Sequence, residues 1–304
     1  MKIRLGYVSI ALDTNFKFKT ITYKHYKKTN DFKKIDEIII HNLETLYNIL
    51  KYNIDNEIYF YRMSSALIPL YNYDDININL DNYDFSKIKQ LIKNHNIRID
   101  LHPDQFCVLN STKQEVVNYS KDILKHNYKF LDKLGIKDKV IIIHIGSSQI
   151  SKEDSLKRFE ENFKTLEKSI QNSIVIENDD KIFNLEDTLY LSKKLNIRMV
   201  FDYQHYLCNK LESFEKNIKD VFLTWKGLNP KIHFSSKKND KEFRSHNEYI
   251  DYKEFISFIE KIKHINVDLD IMLEAKKKNL ALFKLCNDIK EKYKFLNKST
   301  FLGE

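Results

Sequence analysis

His102, His144, Glu177, Asp202, His205, Lys231, His233, His246 and Glu274 are side chains of the kinds that ligate metals, carry protons or bind phosphate. Nearly all of them stand on or just beyond the end of a short apolar segment: "IRIDLH", "KVIIIHIG", "SIVIEN", "IRMVFD" with "YQH" behind it, "KIHFSS" and "VDLDIMLEA". Imidazole and carboxylate are the usual ligands of divalent transition metals. This many donors exceed the needs of one ion, and a carboxylate such as Glu177 is able to bridge two. The set therefore points to a cluster of two or three divalent ions, with Asp202 and His205, three residues apart, serving neighbouring ions. Such clusters clamp the attacking and leaving oxygens of a phosphodiester and supply hydroxide near neutral pH.

A lone histidine at a strand end is more often structural than a ligand. His25, His41, His95, His126 and His264 fall on helical or outer-loop segments and are assigned that role. The other five histidines coincide with Glu177, Asp202 and Glu274 at successive strand ends, a pattern that chance does not readily give.

Apolar periodicity shows what must position these groups. "IRLGYVS" is followed by residues 31–50, where Ile35, Ile38, Ile39, Leu43, Leu46 and Leu50 recur at helical spacing. "EIYFYRMS" reads as a strand and residues 84–96 as a helix. "IRIDLH" then precedes a helix ending at Gly135, a glycine C-cap. "KVIIIHIGSS" is followed by one helix marked by Leu156, Phe159, Phe163, Leu166 and Ile170. "SIVIEN" precedes residues 185–196, "IRMVFD" precedes "LESFEKNIKDV", "KIHFSS" precedes residues 252–263, and "VDLDIMLEA" precedes residues 280–293. Strict alternation implies parallel pairing through right-handed crossovers. Eight strand-helix units predict a single (β/α)8 TIM barrel over residues 1–304, whose strand C-termini share one face. A doubly wound open sheet is the alternative, but no G-x-G-x-x-G follows the first strand and there is no P-loop, so no nucleotide cofactor is expected.

The net charge of +8 suits a polyanionic partner without proving one. Three cysteines, odd in number and far apart, argue for a reducing compartment. No run approaches a membrane span and no secretory signal is evident, so a cytoplasmic protein without a membrane partner is expected.

At these residues the chain resembles the UV damage endonucleases, relatives of the endonuclease IV type of abasic-site nucleases. The matching stretches are "IRLGYVS", "YRMSSALIP", "LHPDQFCVLNS", "IIIHIG", "IEND", "FDYQHY", "KIHFSS", "RSH" and "MLEAKKK". The resemblance implies a barrel holding manganese, and nicking of damaged double-stranded DNA immediately 5′ of a UV photoproduct to leave a 3′ hydroxyl. It places metal ligands at His102, His144, Glu177, Asp202, His205, His233, His246 and Glu274, with Glu177, Lys231 and Glu274 catalytic. Lys231 matches a lysine that in this family can be carboxylated, which would make it a further carboxylate ligand; unmodified, it is expected to pair with phosphate. Gln105 and Phe106 match a pair inserted at the lesion, and Tyr7 a residue near the DNA. Damaged bases stack poorly, so a wedge beside an amide favours them. Tyr73 stands where some relatives carry a histidine, and Ala11 where some carry an amide. Lysines of "SSKKND" and "AKKKN" are expected to grip phosphates.

The expectation is thus a monomeric, metal-dependent DNA repair endonuclease. Its rivals are a general abasic-site endonuclease, a metal-dependent sugar isomerase on the same barrel, and a non-enzymatic binding protein.

Overall fold

Ile- and Val-rich segments too short to be helices, separated by helix-length stretches, pair in parallel because each chain return runs through a helix. The computed structural model, which describes residues 1–73 and 75–303, contains eight such strands: β1 (Lys2–Val8), β2 (Phe60–Met63), β3 (Arg98–Leu101), β4 (Ile141–His144), β5 (Ile174–Glu177), β6 (Arg198–Asp202), β7 (Lys231–Phe234) and β8 (Leu269–Leu273). They pair in chain order, and β1 bonds to both β8 and β2, which closes the expected TIM barrel.

Helices pack outside against one face of each strand. Phe32–Asp55 is the longest; Asp31 caps it by accepting the Lys34 N–H at 3.0 Å, and Ile35, Ile38, Ile39, Leu43, Leu46, Ile49 and Leu50 are buried. Burying each such side chain contributes about 1.5–3 kcal/mol.

The alternate residues of each strand face the barrel interior, and there the chemistry divides. Val140, Ile142, Val175 and Val200 form a small apolar cluster with Trp225, whose indole donates to the Met199 carbonyl at 2.8 Å. Across from them the lining is charged. Arg4 of β1 grips Asp270 of β8 with two hydrogen bonds, Nε to Oδ1 at 2.7 Å and Nη2 to Oδ2 at 2.6 Å. Arg98 of β3 reaches the same Asp270 across the interior at 2.5 Å. Lys231 of β7 pairs with Asp100 of β3. Phe60 lies beneath the cations, 5.4 Å from Lys231 Nζ and 5.6 Å from the Arg98 guanidinium carbon. A Cβ on Gly6 would stand 2.5 Å from the Phe60 carbonyl oxygen, so only glycine lets β1 and β2 approach this closely.

Several elements depart from the periodicity reading. A hairpin of β9 (Lys294–Asn297) and β10 (Thr300–Leu302) follows the last helix, which ends at Ile289. β10 pairs antiparallel with the start of β1, while β2 pairs only with its end. Ser299 bonds to the Glu57 carbonyl at 2.6 Å, so the hairpin fills the gap where β1 and β2 separate. The helix expected around Leu156–Ile170 is two, Lys152–Lys164 and Lys168–Ser173. "LESFEKNIKDV" folds as a 3-10 turn, Phe214–Lys216, and a short helix, Ile218–Leu223. No helix of the described residues is long and apolar enough to cross a membrane.

Burial raises the Asp270 carboxyl, but Arg4 and Arg98 outweigh it and hold the group below its ordinary range. A folded-state value below the unfolded one gives stability that is present above about pH 3.9 and lost as pH falls through the folded value. Asp270→Asn is expected to cost about 3–5 kcal/mol at pH 7 by leaving two arginines unpaired. In urea titrations the gap from wild type should narrow on acidification below about pH 4.

Candidate metal centre

Strand ends of the barrel project their inward side chains into one mouth. His102 follows β3, His144 ends β4, Glu177 ends β5, Asp202 ends β6, His233 lies in β7 and Glu274 follows β8. His205 sits in the first turn of a helix, Tyr203–Cys208, that starts directly from β6. Asp202 is its N-cap, and Oδ1 accepts the His205 N–H at 2.7 Å. Asn178 clamps the same turn, donating to the Asp202 carbonyl at 3.0 Å and accepting the Asp202 N–H at 2.9 Å. His246 enters from the loop after β7, which is tied back by a bridge to Lys237.

Glu177 is the centre of the group. Its Oε2 faces His102 Nε2 at 3.1 Å and His144 Nε2 at 4.0 Å, while Oε1 faces His233 Nδ1 at 2.8 Å and His205 Nδ1 at 3.6 Å. Glu274 Oε1 lies 3.1 Å from His233 Nδ1, and Oε2 lies 3.9 Å from His246 Nδ1. Three groups of donor atoms lie within 4.8 Å of one another: His102, His144 and Glu177; Glu177, Asp202 and His205; Asp202, His233 and Glu274.

The hydrogen bonding leaves room for cations. His102 Nδ1 donates to the Pro103 carbonyl at 2.9 Å, so in the neutral ring Nε2 is an acceptor facing another acceptor, Glu177 Oε2. His205 Nδ1 likewise donates to the Asn178 carbonyl at 2.9 Å, the backbone anchoring typical of metal-ligating imidazoles. Asp202 Oδ2 is buried with no hydrogen-bond partner among the described residues. An orphaned carboxylate oxygen and opposed acceptors fit divalent ions.

Burial dominates the proton affinities here. It would raise the Glu177 carboxyl, but His233, His144 and the His102 contact hold it well below the ordinary range. Burial likewise opposes Glu274, which Arg62 and His233 pull down. Asp202 is pushed well up by burial; His205 pulls the other way, and Glu177 and Glu274 reinforce the rise. Burial takes His233 down to about 4. His205, like Glu177 and Glu274, runs against burial: burial opposes its proton, but Asp202, Glu177 and Glu274 raise it to about 9.

The other expected site residues are placed less uniformly. Gln105 and Phe106 are exposed at the tip of a turn after β3, Phe106 at 66%. Below them Cys107 is buried, and its N–H is bonded to the Asp104 carbonyl at 2.9 Å. Lys231 does not point at the donors: it is buried one layer down against Asp100, and burial lowers it to about 8. Tyr7 is a correction. It has the outward parity of β1, is wholly buried, and donates to Asn53 of the Phe32–Asp55 helix at 2.7 Å, so it does not reach the mouth. Tyr73 stacks on Tyr23 at 4.1 Å and belongs to none of the donor groups, and Ala11 is buried. Lys237 and Lys238 are engaged by Asp240 and Glu242. Arg62 of β2, bonded to Glu274, was not foreseen; its even spacing from Phe60 and Ser64 on an inward face was the available signal.

A TIM barrel with a mouth of converging histidines and buried carboxylates belongs to the class that hosts divalent metal chemistry. Within that class the match is narrow. The UV-endonuclease UvdE family matches residues 3–301. A protein of Bacillus cereus (strain B4264) named UV DNA damage endonuclease is 39% identical over 301 residues, covering 95% of each chain. The crystal structure of SacUVDE superposes with a TM-score of 0.87 at 35% identity, covering 95% of this chain and 98% of that one. Endonuclease IV from Thermus thermophilus shares the fold, with a TM-score of 0.56 at 11% identity over 89% of this chain and 91% of its own. The chain belongs to the UV-endonuclease UvdE family, a family of DNA repair endonucleases.

The Lys231–Asp100 pair is an element of the barrel core. Lys231→Met, which leaves Asp100 buried and unpaired, is expected to cost about 3–5 kcal/mol in chemical denaturation. Replacing both by apolar residues should cost less than the two single changes added, with a coupling of about 1 kcal/mol or more.

Proposed function

We propose that this chain nicks duplex DNA immediately 5′ of UV photoproducts by metal-assisted hydrolysis. Water attacks phosphorus, the P–O3′ bond breaks, and the departing oxygen takes a proton to become a 3′ hydroxyl beside a 5′ phosphate. The observation that carries this reading is the two-sided engagement of Glu177, each carboxylate oxygen facing a different pair of histidines. His102, His144, Glu177, Asp202, His205, His233, His246 and Glu274 would hold two or three ions, taken to be manganese. When bound, the ions supply positive charge to the phosphodiester oxygens and acidify a water.

The chain's own residues supply orientation and selection. Pro103 and Asn178 carbonyls fix two imidazole rings, and Asp202 fixes the turn that presents His205. Lys231 balances Asp100 beneath the donors. Gln105 and Phe106 line a cavity of about 740 Å3 with Val108, Tyr119 and His144. His144 also lines the mouth cavity, so a base displaced by the Phe106 wedge lies next to the donors. Support for UV lesions comes from the relatives named UV DNA damage endonuclease. The protein acts as a monomer in the cytoplasm on this reading.

With manganese, the purified protein should nick a duplex bearing one cyclobutane dimer just 5′ of it, and leave the undamaged duplex intact. Cleavage of an abasic duplex alone would favour the general repair nuclease. Glu177→Gln should fold and lose nicking by orders of magnitude; an active, fully metallated variant would refute the assignment. Phe106→Ala is expected to narrow the preference for dimer over intact duplex by about tenfold, the scale of one lost base-stacking contact.

A further inference from the structure

The mouth cavity, about 390 Å3, is lined by three histidines, two carboxylates and one arginine, Arg62. Its other lining residues are Val8, Ser9, Met63, Ser64 and Ser65, so among the described residues Arg62 is the one permanent cation facing that space. The side chain is only 15% exposed. Nη1 donates to Glu274 Oε1 and stands 3.5 Å from His233 Nε2. Among the described residues no acceptor is bonded to Nε or Nη2. Glu274 thus compensates the buried charge while most of the planar donor fork stays uncommitted.

The backbone beneath is rigid. Arg62 is in register with Val8 of β1 on one side and Asp100 of β3 on the other, and its carbonyl accepts the Ser9 N–H at 2.9 Å. A guanidinium with spare donors, largely buried and facing a cavity, is matched to an oxyanion, and phosphate accepts two parallel N–H bonds from such a fork. Lys237 and Lys238 after β7 are exposed, paired with Asp240 and Glu242, and do not line the mouth cavity.

We propose that Arg62 is a catalytic residue: its uncommitted donors bind a non-bridging oxygen of the scissile phosphate and stabilise the charge that grows there in the transition state. This rests on the reading of the mouth as a phosphodiester-hydrolysing centre. Its donors are positioned before substrate arrives, so the contact strengthens with reaction rather than with ground-state binding.

The test compares wild type, Arg62→Gln and Arg62→Lys. Manganese bound per chain is measured by plasma emission, and kcat and KM are measured on a duplex with one cyclobutane dimer. Arg62→Gln is expected to keep its manganese and near-wild-type KM while kcat falls about 10²–10³-fold, the usual effect of removing one transition-state donor. Arg62→Lys should recover part of the loss, and methylguanidinium added to Arg62→Ala should restore nicking. A kcat for Arg62→Gln within about threefold of wild type, far below that usual effect, overturns the proposal. So does loss of manganese in step with activity, which would make Arg62 a positioning residue for Glu274. Wild-type protein that binds manganese yet nicks no duplex overturns the underlying reading instead, and is recognised because no variant then differs from it.

Discussion

Everything at the mouth follows from three carboxylates gathered in one place, Glu177 and Asp202 buried and Glu274 nearly so. Two unit charges 4 Å apart repel by about 4 kcal/mol at the effective dielectric of a protein site. The chain answers with one arginine and five imidazoles. Against burial, Arg62 pulls the Glu274 carboxyl down and the surrounding histidines pull Glu177 down, while burial pushes Asp202 up in spite of His205. What the mouth leaves unmet is coordination: Asp202 Oδ2 has no hydrogen-bond partner among the described residues and Glu177 faces imidazole nitrogens on both sides, an arrangement that suits divalent cations.

The same constraint shapes the layers below. Arg4, Arg98 and Asp270 form one buried cluster and Lys231 with Asp100 another; Arg98–Asp270 joins β3 to β8 and Lys231–Asp100 joins β7 to β3, strands that are not neighbours in the barrel. These pairs tie opposite walls together beneath the mouth, so the donors above stand on a stiffened floor. An apolar cluster fills the other side, around Trp225, and Phe60 lies beneath the cations on the charged side. The C-terminal hairpin completes the wall at the base, where β1 and β2 part.

The barrel and its strand-end donors were legible because parallel strands and amphipathic helices have different periods, and because a barrel sends all strand ends to one face. The interior ion pairs were equally available and went unread: Arg98, Asp100 and His102 share one strand parity, as do Asp270 and Glu274. Applying that parity to β1 would also have turned Tyr7 outward, away from DNA. The β9–β10 hairpin was not legible, since "KFLNKSTFL" has too little alternation to separate it from the helix before it. The Tyr203–Cys208 helix was missed because its start depends on the Asp202 cap, whose side chain had been given wholly to metal.

Fold alone does not decide what such a barrel does. D-psicose 3-epimerase from Clostridium cellulolyticum H10 superposes with a TM-score of 0.51 at 14% identity, and that likeness extends only to the barrel. The central claim, a metal cluster shared across Glu177, is tested most directly by anomalous diffraction at the manganese edge from crystals grown with manganese. Peaks on both sides of the Glu177 carboxylate, one within bonding reach of His102 and His144 and another within reach of Asp202 and His205, are the predicted result. A mouth without anomalous density, or ions bound only at surface carboxylates, would contradict it.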